Sequence, residues 1–154
     1  MKPATRIAII DDEADARFLL RTALEQSFAE EIAFIAEADS VYKGKELLRT
    51  QSVDLVFLDI QLTDGTGFNL LESLSQIDFT IVFVTAHSDF ALRAFDFFTF
   101  AYLVKPFKQA QLERVFQQFL SSQQPNGTSA IRVLSESIAN RRISKVVIAE
   151  QEGF

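Results

Sequence analysis

Two stretches decide the fold of this chain: IAIIDD, from Ile7 to Asp12, and DLVFLDI, from Asp54 to Ile60. In each, a short apolar run leads directly into carboxylates, Asp11 and Asp12 in the first stretch and Asp59 in the second. Short runs that are apolar throughout are typical of strands buried on both faces of a parallel sheet. The two stretches therefore predict central strands of such a sheet, with acidic groups where the strands end.

Short β-rich runs alternate with helical patterns over the first 122 residues. We predict strands at Arg6–Ile10, Ile32–Glu37, Leu55–Leu58, Thr80–Val84 and Phe100–Val104. We predict helices at Glu13–Phe28, Val41–Thr50, Gly67–Gln76, Asp89–Phe98 and Lys108–Ser122. The fourth helix depends on the i, i+3, i+4, i+7 spacing of Ala91, Ala94, Phe95 and Phe98. Five consecutive βα units indicate an α/β fold, a doubly wound five-stranded parallel sheet with helices on both faces.

The pattern changes after residue 122, where SSQQPNGTS (121–129) is polar and contains Pro and Gly. We interpret 123–141 as a linker, part of it helical, and 142–154 as a strand followed by a turn. The residues that follow the linker are too few for an independent core. The alternative is that 130–154 pack on the first domain as an appendage.

Composition excludes several function classes. The chain has 154 residues, 48% of them apolar, which is enough for one ordinary core. Its formal charge is −6 and it has no block of Lys and Arg, so a non-specific nucleic-acid surface is not expected. The absence of cysteine excludes disulfides, thiolate zinc sites and a cysteine nucleophile. No apolar run approaches the length of a membrane span, and we expect a cytoplasmic protein.

Ligands of open α/β sheets bind outside the carboxyl ends of the strands. If the first and third strands are neighbours, then Asp11, Asp12 and Asp59 converge on one cleft, where their repulsion requires a cation. Oxygen ligands alone favour Mg²⁺ over Zn²⁺. Thr85 and Lys105 end the fourth and fifth predicted strands and would bring a hydroxyl and a positive charge to the same edge. Each residue alone has an ordinary explanation, such as a helix cap or a solvated lysine, but the coincidence of all of them indicates a site.

Four motifs resemble the receiver domain of two-component response regulators: IAIIDDEADAR, DLVFLDIQLTDGTGF, IVFVTAHSDFALRAF and AYLVKPF. The resemblance covers about residues 5–122 and implies a flavodoxin-like sheet with strand order 2-1-3-4-5. It implies that Asp59 accepts a phosphoryl group from a phosphohistidine of a sensor histidine kinase. It also implies that Asp11, Asp12, Asp59 and the backbone carbonyl of Gln61 bind Mg²⁺, Asp11 partly through water.

The same resemblance gives roles to residues around the acceptor. Lys105 would pair with the phosphoryl group, and Thr85 would form a hydrogen bond with it. Tyr102 corresponds to the aromatic switch residue, which moves inward as Thr85 is recruited. The Lys105–Pro106 peptide bond is expected to be cis.

Some positions depart from the family pattern. Thr63 stands where many receivers have Pro, which puts the rigidity of that loop in question, and Ala101 stands where an acidic residue is common. The resemblance implies that Gln61 and His87 stand at the family's positions that tune the rate of dephosphorylation, and His87 is the only histidine of the chain. The alternative for His87 is an ordinary solvated loop residue.

The type of output domain and the binding partners of the protein are also inferred from resemblance. ALRAFDFF and the terminal ISKVVIAEQEGF resemble the LytTR class of transcriptional regulators, so DNA would be bound only by an output domain that this chain lacks. FDFFTFAY (95–102) is rich in aromatic residues, of which we expect Phe97 or Phe100 to be exposed. That exposure would suit a homodimer through the face formed by the fourth helix, fifth strand and fifth helix.

Three other function classes share part of this pattern, and the sequence argues against the first two. A Mg²⁺-dependent phosphatase with an aspartyl nucleophile needs a second Asp two residues after the first, where this chain has Gln61. A nucleotide-binding module would need a glycine-rich loop after the first strand, where DDEAD stands instead. A receiver-like interaction module that is never phosphorylated also remains possible. We expect a switch that catalyses only its own phosphotransfer and hydrolysis, and no other enzyme activity.

Overall fold

The structure is a computed structural model that describes residues 3–123. Five βα units follow one another along the chain. The strands are β1 (Thr5–Ile10), β2 (Ile32–Ala38), β3 (Leu55–Leu58), β4 (Thr80–Thr85) and β5 (Ala101–Val104). The helices are α1 (Ala14–Phe28), α2 (Val41–Thr50), α3 (Gly67–Glu72), α4 (Ala91–Ala94) and α5 (Gln109–Ser122). A two-stranded hairpin, which pairs Gln61–Leu62 with Gly65–Thr66, lies between β3 and α3.

The sheet is parallel, as the βα pattern predicts, and its strand order β2-β1-β3-β4-β5 is the one that the family resemblance implies. β1 and β3 are neighbours, and Ile10 pairs with Leu58 at their carboxyl ends. The residues that follow these two strands therefore meet at one edge of the sheet.

Successive residues of each strand point to opposite faces of the sheet, and both faces are covered. Ala8, Val56 and Phe83 belong to the core on one face, where Leu47 of α2 and Leu70 of α3 pack. The opposite core also takes residues from the central strands and is completed by α1 and α5: Ile7, Ile9, Leu55, Phe57, Val82, Leu24 and Phe116. Burial on both faces is the reason that the strands read as continuous apolar runs.

Two helices are shorter than predicted by more than one residue. α3 ends at Glu72 instead of Gln76. There the Ser73 hydroxyl donates to the Leu70 carbonyl, and the Leu74 amide donates to the Leu71 carbonyl in a tighter turn. In the predicted helix 89–98 only Ala91–Ala94 is α-helical, between 3₁₀ turns at Ser88–Phe90 and Phe95–Phe97.

The prediction that Phe97 or Phe100 is the exposed ring is wrong. Phe97 is half-buried and stacks on Phe68 with ring centroids 5.3 Å apart, and Phe100 packs edge-on against Phe119. The exposed ring is Phe98, with 83% of its surface accessible. Phe98 has a left-handed backbone (φ 56°), which ends the 3₁₀ turn and directs this ring away from the core.

The predicted linker (123–141) and the predicted start of a second domain (142–154) lie outside the described residues from 124 onward. Within residues 3–123, no helix combines the length and the apolar character that crossing a membrane requires.

Candidate functional site

An acidic pocket lies at the carboxyl edge of the sheet. Main-chain bonds carry both strands one residue further, because the Asp11 amide donates to Ala38 (3.1 Å) and the Asp59 amide donates to Ile10 (2.9 Å). Both aspartates are buried, at 5% and 6% exposure. One carboxylate oxygen from each of four residues lies within 4.8 Å of the others: Asp11, Asp12, Glu13 and Asp59. The structure thus brings together the three predicted aspartates.

Lys105 neutralises part of this charge. Its Nζ donates to Asp11 Oδ2 at 2.7 Å, to Asp59 Oδ2 at 3.1 Å and to Glu13 Oε1 at 3.3 Å. The Lys105 amide donates to the Thr85 carbonyl (2.7 Å), which extends the pairing of β4 and β5 to the pocket. The Lys105–Pro106 peptide bond is cis, as predicted.

The pKa shifts in the pocket follow from burial and from this amine. Burial raises the pKa of Asp11, although hydrogen bonds from Lys105 and from the Glu13 amide act in the opposite direction. Burial alone would lower the pKa of Lys105, but its hydrogen bond to Asp11 and the charge of Asp59 outweigh burial and raise it. Four carboxylates thus lie together and only three of them contact the one ammonium group, an arrangement of oxygen donors that fits a hard divalent cation such as Mg²⁺.

Thr85 and Tyr102 lie beside the loop that follows β4. Thr85 is buried, and its Oγ1 accepts a hydrogen bond from the His87 amide at 3.4 Å. Tyr102 is fully buried against Phe83, and its hydroxyl donates to the His87 carbonyl. Both groups therefore hold the main chain of His87, while the His87 ring lies edge-on to Phe90 with centroids 5.9 Å apart. Tyr102 occupies an inward position.

The loop after Asp59 approaches the pocket closely. The Gln61 amide lies 3.4 Å from Asp59 Oδ1, and the Gly67 amide donates to the Ile60 carbonyl at 2.7 Å. A Cβ at Gly67 would lie 2.5 Å from the Asp59 carbonyl oxygen, a distance too short for any side chain. Gly67 is therefore required by the approach of α3 to the backbone of Asp59.

The same loop is fastened to α2. Asp64 accepts hydrogen bonds from the amides of Val41 (2.7 Å) and Tyr42 (3.0 Å), and the Thr63 hydroxyl donates to the Asp39 carbonyl (3.3 Å). Thr63 occupies the position where the family resemblance leads us to expect Pro, and these three hydrogen bonds restrain the loop there.

Two residues of the site were not identified from the sequence. Glu13 contributes the fourth carboxylate and contacts Lys105, and the run DDE was a signal that could have indicated it. Arg17 reaches back from α1, and its Nη1 donates to the Asp11 carbonyl at 2.7 Å. An Arg on the first turn of a helix does not by itself identify such a bond.

The model of the response regulator receiver domain family matches residues 7–117. Among curated proteins, the chain is 38% identical over 114 residues to sensory transduction protein LytT of Enterococcus faecalis, which covers 73% of this chain and 46% of that protein. It is 32% identical over 147 residues to sensory transduction protein LytR of Streptococcus mutans, with 89% of this chain and 60% of that protein covered. The chain spans about half the length of the curated relatives it matches.

Solved structures share the fold. The response regulatory domain of protein mrkE from Klebsiella pneumoniae has a TM-score of 0.70 at 25% identity, covering 76% of this chain and 96% of that one. A two-component response regulator of the LuxR family from Aurantimonas has a TM-score of 0.68 at 26% identity, covering 92% of this chain and 99% of that one. The predicted fold is thereby confirmed.

Proposed function

This chain belongs to the response regulator receiver family of two-component signal transduction, and from that premise we propose that Asp59 accepts a phosphoryl group from a sensor histidine kinase. The observation that carries the proposal is the contact of Lys105 Nζ with both Asp59 and Asp11 at a four-carboxylate pocket. Such a pocket can bind a dianionic phosphoryl group only when cations balance its own charge.

In the proposed reaction an Asp59 carboxylate oxygen attacks phosphorus. The P–N bond of the phosphohistidine breaks, and its electron pair goes to the imidazole nitrogen, which takes up a proton. Asp11, Asp12, Asp59 and the Gln61 carbonyl would hold Mg²⁺, which supplies positive charge to the transferring phosphoryl oxygens. Lys105 supplies the second positive charge and keeps contact with the product, an acyl phosphate.

Thr85 and Tyr102 would transmit the effect of phosphorylation from the pocket to the surface of the domain. We propose that the Thr85 hydroxyl forms a hydrogen bond with the phosphoryl group, while Tyr102 stabilises the rearranged loop from inside. Tyr102 already lies inward in this structure, and its bond to the His87 carbonyl is the contact through which it would hold the loop. A local charge would thus be converted into a changed α4–β5 surface.

Gln61 and His87 are proposed to set the lifetime of the acyl phosphate. Both lie next to residues of the pocket, Gln61 two residues after Asp59 and His87 two residues after Thr85. In this proposal their side chains flank the path of the hydrolytic water. Alanine at either position should change the half-life of phospho-Asp59, and an unchanged half-life in both variants would contradict the proposal.

We further propose that the receiver, residues 1–122, controls a LytTR-type transcriptional output. In this proposal 123–141 is a linker and 142–154 is the start of a DNA-binding domain. The match of the S. mutans LytR relative to 89% of this chain supports the assignment. We place the protein in the cytoplasm. Its partners would be a sensor histidine kinase and a second copy of the chain, the latter bound through the face formed by α4, β5 and α5.

The decisive experiment is intact mass spectrometry after incubation with Mg²⁺ and acetyl phosphate, for wild type and for Asp59→Asn. We expect a Mg²⁺-dependent increase of one phosphoryl group in wild type and none in Asp59→Asn. Asp54→Asn is the matched control, because Asp54 precedes the same strand and lies at its opposite end. The absence of an adduct on wild type, with acetyl phosphate or a phosphorylated kinase, would favour a phosphorylation-independent interaction module.

A further inference from the structure

The loop between β1 and α1 contains the three consecutive acidic residues Asp11–Glu13, here called the acidic turn. Arg17 binds this turn at two points. Its backbone amide donates to the Glu13 carbonyl at 3.1 Å, an ordinary first bond of a helix. Its guanidinium Nη1 donates to the Asp11 carbonyl at 2.7 Å, six residues back along the chain. The second bond is specific to the side chain at this position.

The guanidinium of Arg17 is itself held in place. Its Nε donates to Glu37 Oε1 on β2 at 3.0 Å, and the other oxygen of Glu37 accepts from Arg21 Nε at 2.6 Å. Arg21 is held in turn by its bond to the Ile35 carbonyl at 2.6 Å. The side chains of Arg17 and Glu37 are only 18% and 29% exposed. This network fixes the orientation of the Arg17 guanidinium group. A single flexible ion pair on the surface would not do so.

Glu37 is ionised at neutral pH. Burial alone would raise its pKa, but the hydrogen bonds from Arg21 and Arg17 outweigh burial and lower it. The carboxylate that holds Arg17 is therefore charged at neutral pH, and it loses this charge only in acid.

We propose that Arg17, held by Glu37, is a positioning residue of the phosphorylation site. It would fix the peptide between Asp11 and Asp12 so that both carboxylates face the metal. The inference rests on the proposed function, because that function supplies the metal. Arg17 itself need not contact the metal or the phosphoryl group.

Peptide geometry gives the reason. A peptide group is planar, so a bond that fixes the Asp11 carbonyl oxygen also fixes the direction in which the chain enters Asp12. The peptide on the other side of Asp11 is fixed by the bond from its amide to the Ala38 carbonyl. With both flanking peptides held, the Asp11 side chain is directed toward Lys105, which it meets at 2.7 Å. Asp12 is exposed at the rim and depends on the backbone of the turn for its orientation.

A rival explanation is that Arg17 acts through its positive charge, by reducing the negative potential of the pocket. The two explanations differ for Arg17→Lys. Lysine keeps the charge, but all its donors leave one nitrogen, so it does not reproduce the bonds that the guanidinium makes from Nε to Glu37 and from Nη1 to the Asp11 carbonyl. A charge effect is retained in this variant, whereas positioning is lost.

The test compares Arg17→Lys and Arg17→Gln with the control Arg49→Gln. The control removes a guanidinium that pairs with Glu46 on the surface of α2. The Mg²⁺ dissociation constant of each protein is measured by calorimetry, and thermal unfolding confirms that each variant is folded. We expect both Arg17 variants to bind Mg²⁺ about 10-fold more weakly, as is typical when a group that orients metal ligands is removed. The control should bind as the wild type does.

A second measurement does not depend on the metal. In the metal-free protein, the amide resonances of Asp12 and Glu13 should shift in Arg17→Lys and in Glu37→Ala, but not in Arg49→Gln. Wild-type affinity in Arg17→Lys would overturn the positioning role, and loss only in Arg17→Gln would assign the effect to charge. If wild type fails to bind Mg²⁺, the proposed function fails, and the amide shifts alone decide whether Arg17 fixes the turn.

Discussion

The buried carboxyl group of Asp11 in the pocket affects stability in the opposite direction from the paired carboxyl group of Asp54 at the other end of the sheet. Burial raises the pKa of Asp11 in spite of Lys105, so the folded protein binds a proton at Asp11 more tightly than the unfolded chain does. The contribution of this residue to stability is therefore largest in acid and is lost as pH rises through its folded-state pKa. Ionisation of Asp11 in the pocket therefore has a cost to the fold.

Asp11→Asn should consequently be more stable than wild type at neutral pH. Its amide oxygen can still accept the bond from the Glu13 amide, and the unfavourable ionisation is removed. We expect the difference in urea midpoint between variant and wild type to grow as pH rises from 4 to 8. If the urea midpoint of Asp11→Asn were lower than that of wild type, or if the difference between them did not change with pH, burial would not be the dominant cause of the raised pKa of Asp11.

Asp54→Asn is the control with the opposite sign. The hydrogen bonds from Arg6 hold the pKa of Asp54 below its ordinary value, against partial burial. Its stabilising effect is thus present above the unfolded-state pKa and is lost as pH falls. Asp54→Asn should be less stable than wild type at neutral pH, so the same chemical change gives opposite results at the two ends of the sheet.

Gly67 gives a purely steric prediction. Gly67→Ala would place a Cβ 2.5 Å from the Asp59 carbonyl oxygen and 3.0 Å from Leu58 Cγ. Because backbone must move, we expect a loss of about 1–3 kcal/mol in the free energy of unfolding, measured by urea denaturation. Gly44→Ala is the matched control: its Cβ would meet only side-chain atoms, at 3.1 and 3.2 Å, and a helix interior favours Ala by about 1 kcal/mol. A control that loses as much stability as Gly67→Ala would refute this explanation.

Among the elements, the loop after β3 and the start of α2 form one unit. The first three amides of α2 have no partner within the helix. Asp64 accepts those of Val41 and Tyr42, and Ser40 Oγ accepts that of Lys43 at 3.1 Å. A carboxylate at a helix N-terminus also interacts favourably with the helix dipole. The loop that carries Gln61 is thereby held by α2.

Asp64→Ala should break the hydrogen bonds that connect the loop after β3 to the start of α2. We expect faster amide hydrogen exchange at Val41 and Tyr42, while Lys43, which is capped by Ser40, keeps most of its protection. Hydrogen bonds from the Val41 and Tyr42 amides hold the pKa of Asp64 below its ordinary value. The protection in wild type is therefore present above the ordinary carboxyl pKa and is lost as pH falls through the lowered one.

The control for this experiment is Asp78→Ala, which removes an exposed carboxylate that accepts a bond from the Gln76 side chain. It should leave exchange at Val41 and Tyr42 unchanged. Equal exchange in wild type and Asp64→Ala would show that the loop is held in another way.

The elements also show what could be predicted from the sequence. The central strands were predicted within a residue, because burial on both faces requires an unbroken apolar run. The fourth helix was predicted too long, since Phe98 fits the helical spacing of Ala91 and Ala94 although its backbone is left-handed. The spacing of apolar residues within one segment gives no information about the stacking of Phe97 on Phe68, because these residues are far apart in the sequence.

The site was predicted to a similar extent. Asp11, Asp59 and Lys105 meet as expected, because parallel strands place their carboxyl ends at one edge. The bonds of Tyr102 to the His87 carbonyl and of Arg17 to the Asp11 carbonyl were not foreseen. Main-chain acceptors are present at every residue, so the sequence gives no signal for which carbonyl a side chain will reach.

On the scale of the whole molecule, the described residues leave one aromatic ring strongly exposed beside the α4–β5 face. Phe98 is 83% accessible, and Leu92 on the same segment is 62% accessible. Phe97 and Phe100, on either side, point inward. A large exposed ring next to packed aromatic residues is the kind of group that anchors a protein interface. On this ground we propose Phe98 as the central contact of the proposed homodimer.

Phe98→Asn tests the dimer without weakening the fold. Asn tolerates the left-handed backbone at this position better than Phe does, so the free energy of unfolding should not fall. With Mg²⁺ and beryllofluoride as the phosphoryl mimic, wild type should sediment as a dimer and Phe98→Asn as a monomer at the same concentration. Phe18→Gln is the matched control, since it removes an exposed ring (66% accessible) from α1 and should leave dimerisation intact. Dimers of Phe98→Asn as stable as those of wild type would exclude this ring from the interface, and a wild type that stays monomeric would refute the proposed assembly.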